Sequence, residues 1–170
     1  NENNQLSADQ IDIYLRNETV DYMHGKENAI TIMKDGEQAF NQMSGKEMIA
    51  YVRDGEVYLV DVKGNAETVF YPKEDDGSYI GLNRTQSSFV KLYITNRTID
   101  HVVFTTATTG VMIPLHQALE TEKTLSSFFW AEAERPQQPK DIFLHPTRTA
   151  RPVAGTRSAA AAPDGAAWAM

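Results

Sequence analysis

The sequence predicts an all-β protein: a twisted antiparallel β-jellyroll built from repeated hairpins, followed by a short C-terminal helical segment. Three observations predict it. Short runs rich in Val, Ile, Tyr, Phe and Thr, broken by Asn, Asp and Gly, fill the chain from residue 6 to about 113. Within them apolar and polar side chains alternate on both sides of two-residue turn signals, the period of a half-buried strand. The pattern also repeats. Shifted by 37 residues, 6–33 lies on 43–70 with eight identities in 28 positions, among them Tyr14/Tyr51, Val20/Val57, Asn28/Asn65 and Thr31/Thr68.

Each copy reads as a hairpin. The turns fall at Asn17-Glu18, at Asp54-Gly55 and, in a third copy over 90–104, at Asn96-Arg97. Asp-Gly is a strong type I′ signal, and Asn enters the left-handed region at low cost. Strict alternation about these turns collects Leu15, Val20 and Tyr22, then Val52, Val57 and Leu59, then Leu92, Ile94, Ile99 and Val103 on one side. Tyr14, Arg53, Tyr58, Tyr93 and Asp100 fall on the other. A one-residue slip would exchange the two sets, so a register shared by three copies carries information. Three such hairpins offer one face to a common interior, as stacked units that cannot bury that face alone. Between them, 28–33, 65–72 and 78–83 are further strand candidates, with a turn at Pro72 and 73–77.

Residues 1–113 therefore form the predicted β module. Over 114–143 the character changes. Leu115 and Leu119 stand four apart, as do Leu125 and Phe129, which suits a short amphipathic helix ending near Trp130. Phe128, Phe129 and Trp130 are too apolar to leave together in water, so this segment is expected to cap the exposed edge of the strand stack. Residues 144–170 hold nine Ala among 27 and scattered Pro, a low-complexity tail expected to lack fixed structure.

Bulk composition excludes several classes. The net charge of −7 argues against nucleic acid and against an anionic membrane surface as partners. With no Cys there are no disulfides or thiolate metal sites, which leaves the compartment open. The chain begins with Asn and carries no leader, and is expected to be a processed chain or a fragment of a larger protein. Catalytic chemistry finds no footing. Ser88 and Lys91 spell S-x-x-K, but three residues apart on a strand they point to opposite faces. His24, His101, His116 and His145 show no ligand spacing, and Asp75-Asp76-Gly77-Ser78 lacks the further carboxylates of a calcium loop. No enzyme, cofactor or metal is expected.

The strings FNQMSGKEMIAYVRDGEVYLVDVKGNAETVFYPKEDDGSYIGLNRTQSS (40–88), YITNRTIDHVVF (93–104) and FFWAEAERPQQPKDIF (128–143) resemble the OstA-like proteins of Bacteroidetes. These belong to the LptA-like family of organic-solvent tolerance and lipopolysaccharide transport. The resemblance covers residues 6 to 143 and is most specific in GNAETVFY, IGLN…SS and RPQQPKDIF. It implies two antiparallel sheets facing each other like a folded leaf, a periplasmic setting, acyl chains between the sheets, and modules stacked end to end in outer-membrane biogenesis. It carries no catalytic motif.

Two functions fit the residues at this point. In one, Leu15, Val20, Val52, Val57, Leu59, Leu92, Ile94 and Ile99 line a cleft that shields the acyl chains of lipopolysaccharide or another envelope lipid. In the other, the same side chains fill their own core, and the module is a scaffold whose edge strands pair with neighbouring β-jellyroll modules.

Overall fold

The computed structural model describes residues 4–37 and 39–132. RPQQPKDIF and the tail over 144–170 lie outside the described residues. Eight strands, β1 (Asn4–Ser7), β2 (Gln10–Arg16), β3 (Thr19–Asp35), β4 (Ala39–Arg53), β5 (Glu56–Phe70), β6 (Leu82–Thr95), β7 (Thr98–Thr105) and β8 (Thr109–Ile113), make one open antiparallel sheet. β1 and β2 lie end to end along β3, and β7 and β8 lie end to end along β6. The sheet thus has six rows, with β3, β4, β5 and β6 in the middle.

The three expected turns are present. Both residues of each pair have positive φ, at Asn17 and Glu18 (48° and 65°), Asp54 and Gly55 (52° and 78°), and Asn96 and Arg97 (52° and 64°). This is the type I′ geometry whose twist matches that of the flanking strands.

A second left-handed pair follows each turn at a fixed distance: Glu27-Asn28, Gly64-Asn65 and Thr106-Ala107. There the ladder slips, between Lys26 and Ala29 and between Lys63 and Ala66, and at the third pair β7 gives way to β8. These are bulges, and a bulge bends its strand. Because all three fall in line, the whole sheet creases along them into two leaves. The tip leaf carries the hairpin turns and the base leaf carries the other strand halves. The identity of Asn28 with Asn65 is the trace of this crease in the sequence.

Small side chains mark the crease. Ala29 and Ala66 are fully buried, and a Cβ on Gly45 would collide with Cγ1 of Val62. Only glycine allows the leaves to approach so closely at that point. From the crease outward the space between the leaves opens as a wedge. One core cluster, centred on Met48, Val60, Val62, Val90 and Leu92, fills its narrow part.

A second cluster lies on the far side of the base leaf. Ile30, Ile32, Val69 and Leu82 are covered there by Leu115, Leu125, Phe128 and Trp130 of the segment after β8. The segment is irregular, a succession of turns at 115–117 and 126–127, and its helical part is a single 3₁₀ turn at Glu120–Glu122. Thr121, Thr124, Ser126 and Ser127 are weak helix formers, and the base leaf takes up main-chain groups that a helix would use internally. Gln42 donates to the Lys123 carbonyl and accepts from Leu125 N–H, both at 2.8 Å. Gln5 does the same for the Phe129 carbonyl (2.6 Å) and Ala131 N–H (2.9 Å). Arg84 donates to the carbonyls of Glu122 and Thr124. The segment is therefore a strap over a face, where the sequence suggested a helix over an edge.

Candidate functional site: the wedge between the leaves

Directly paired residues of a sheet point to the same side, so the ladders define the two walls of the wedge. On the tip leaf the row nearest the crease runs Ile11, Gly25, Met48, Val62, Val90, Phe104. The next runs Ile13, Met23, Ala50, Val60, Leu92, Val102. Outermost, behind the turns, stand the pairs Leu15–Val20, Val52–Val57 and Ile94–Ile99. This wall is apolar throughout.

The base-leaf wall is mixed. Thr31, Met43, Thr68 and Thr85 form one row, and Met33, Asn41, Phe70 and Asn83 form the row at the mouth. Between the walls lie three adjoining cavities. One of about 330 Å³ lies between Leu92, Ile99, Val102 and Phe104 on one wall and Met33, Met43 and Phe70 on the other. Another, of about 540 Å³, lies between Val57, Val60 and Ile94 on one wall and Leu6, Thr31 and Met33 on the other. The third, about 670 Å³, opens at the mouth between Phe70 and the Arg97 turn.

Of the eight residues expected to line the cleft, Val57, Leu92, Ile94 and Ile99 line these cavities. Leu92 is 2% exposed, and the other three are partly buried against the core. Val52 shares their wall and is half-buried. Leu15, on the edge strand β2, and its partner Val20, at the start of β3, also face inward but line none of these cavities; they are 66% and 37% exposed.

Leu59 is on the wrong face, and the expectation for it is corrected. Each hairpin has an extra residue three positions beyond its turn pair: Asp21, Tyr58 and Asp100. The ladder steps from Val52–Val57 to Tyr51–Leu59, leaving Tyr58 unpaired. Alternation is reset there, so Leu59, Tyr22 and Val103 turn outward while Met23, Val60 and Val102 turn inward. Sequence alternation missed those three, and it assigned no faces on the base leaf. The available signal was the repeat itself: Met33 and Phe70 stand 37 residues apart, as do Thr31 and Thr68.

The same reset builds a row on the outer surface of the tip leaf: Tyr14, Tyr22, Tyr51, Leu59, Tyr93, His101. Tyr14 stacks on Tyr22, and Tyr93 on His101, each at 4.3 Å. The ring faces are occupied by one another, so the row braces the twisted sheet and offers no open aromatic platform.

Charges gather at the mouth in pairs. Lys73 donates to Asp35 at 2.6 Å, and this bond holds its pKa above the ordinary 10.5. Arg97 donates to Glu56 at 2.8 Å. No group of His, Asp or Glu among the described residues is arranged to hold a metal ion. No helix among them is long and apolar enough to cross a membrane.

The fold is thus an open, creased antiparallel sheet with a wedge-shaped apolar cleft. No family model and no curated protein matches the chain.

Proposed function

We propose that this chain is a non-enzymatic carrier module that shields an acyl chain of an envelope lipid between its two leaves. The observation that carries the reading is the pair of cavities walled by Val57, Val60, Leu92, Ile94 and Ile99, which a self-filled core would not leave open. Affinity comes from apolar burial, at about 0.8 kcal/mol per methylene withdrawn from water. The resemblance to the OstA-like proteins supports lipopolysaccharide as the lipid and the periplasm as the place.

A second reading, a scaffold that stacks with other β-modules, is favoured by one feature. Ile11, Ile13 and Leu15 form an exposed apolar strip on the inward side of the edge strand β2, extended by Val20 at the start of β3. Such a strip suits continuation of the sheet by another module. Photo-crosslinking separates the two. A crosslinker at Val57 or Ile99 is expected to yield lipid adducts, with none at Leu59 on the outer face. Protein adducts at Ile13 with no lipid adducts at Val57 or Ile99 would replace the carrier by the scaffold.

A further inference from the structure

The mouth row of the base leaf alternates in kind. Across six rows it reads Asn4, Met33, Asn41, Phe70, Asn83, Met112. Asn4 and Asn41 are 37 residues apart, the spacing of the first repeat, and Asn83 holds the matching place in the third copy. Asn is disfavoured inside strands, so its return at every second row calls for a role of the side chain.

Hydrogen bonding supplies half of that role. Asn41 is 9% exposed, and its Oδ1 accepts from Tyr71 N–H at 2.8 Å, where the β5 ladder ends. The Oδ1 of Asn83 accepts from the Thr85 hydroxyl at 2.8 Å. With both oxygens engaged, the amide orientations are fixed, and the two NH2 groups have no hydrogen-bond partner among the described residues. Both side chains line the cavity beside Leu92 and Phe104. Each NH2 opens onto the cavity, where an acceptor oxygen of a ligand can take the place of water.

The acceptor's chemistry follows from its surroundings. Lys73, Arg97 and Lys34, the cations lining the mouth, pair with Asp35, Glu56 and Glu132, so among the described residues no unpaired cation stands there for a phosphate or carboxylate. Met33, Phe70 and Met112 separate the seats with apolar surface. We infer that Asn41 and Asn83 each seat the carbonyl oxygen of an ester- or amide-linked acyl chain, fixing the depth at which the chain enters the wedge. This rests on the carrier reading above and specifies its ligand as a neutral acylated lipid. Asn41 and Asn83 lie two strands apart, about 10 Å, so each seat takes a separate oxygen.

The test compares monolauroyl glycerol with dodecyl glyceryl ether, which share chain and headgroup and differ in the carbonyl. Titration calorimetry below the critical micelle concentration is expected to show the ester binding about tenfold more tightly. Asn41→Asp and Asn83→Asp keep the oxygen that serves Tyr71 or Thr85 and remove the donor. Each should reduce the ester's advantage over the ether, read as the ratio of the two affinities within the same variant, with unfolding midpoints measured alongside to confirm that the variants fold. Equal binding of ester and ether by the unaltered protein overturns the carbonyl seats while leaving the carrier intact. Binding of neither overturns both.

Discussion

Tyr51 pairs with Leu59 across the β4–β5 turn, and the next residue of β5, Val60, pairs with Ala50 in the core. Adjacent residues thus stand on opposite sides of one leaf. Val60→Asp buries an unpaired carboxylate and should destabilise the protein by roughly 3 kcal/mol or more. Leu59→Asp should stay within about 1 kcal/mol of the unaltered protein. Urea unfolding of both variants checks the assignment, and equal damage would contradict the bulge at Tyr58.

That bulge is also where the sequence stopped being legible. The turns at Asn17, Asp54 and Asn96, the all-β class and the inward face of Val57, Leu92, Ile94 and Ile99 were open to reading, because each depends on neighbours in the chain. An extra residue at Asp21, Tyr58 or Asp100 leaves no mark on composition and is fixed by the register of both strands. Leu125 shows a different limit. Its four-residue spacing to Phe129 suits a helix, and the competing partners, Gln5, Gln42 and Arg84, lie 38 or more residues away. The crease left its sign as Asn28 and Asn65, legible as a repeat but not as a fold line.

The strap depends on a glutamine acting as a main-chain partner. Gln42→Leu removes both of its bonds to the strap and leaves the buried Leu125 N–H unsatisfied, at a cost of about 1–3 kcal/mol. Amide exchange at Leu125 should quicken strongly. Gln5→Leu should quicken Ala131 and leave Leu125 protected, since its two bonds to the strap fall at Phe129 and Ala131.

Backbone strain at the crease gives a stabilising change. Ala107 has φ of 50°, a conformation that costs an L side chain about 1 kcal/mol or more relative to glycine. Ala107→Gly should raise stability by about 1 kcal/mol, whereas Ala66→Gly, at a buried β position beside the crease, should lower it by a similar amount. Thermal unfolding of the pair reads the two signs.

Edge strand β2 is tied to β3 by Lys26 donating to Asp12 at 2.7 Å. That bond lowers the Asp12 pKa below 3.8 and raises that of Lys26 above 10.5. The depressed carboxylate stabilises the fold at pH above 3.8, and the contribution is lost as pH falls through its folded value. The raised ammonium contributes below pH 10.5 and loses its share as pH rises through the folded value. The stability difference between the unaltered protein and Asp12→Asn should therefore be largest between those limits and shrink on either side, which denaturant midpoints across a pH series would record.

The central claim is that the gap between the leaves accepts an acyl chain. Methyl signals observed with a doxyl-labelled fatty acyl methyl ester test it most directly. Paramagnetic broadening should strike Met33, Val57, Leu92, Ile94 and Ile99 and spare Ile30, Ile32 and Leu59. Broadening confined to the outer methyls, or absent from all of them, would contradict it.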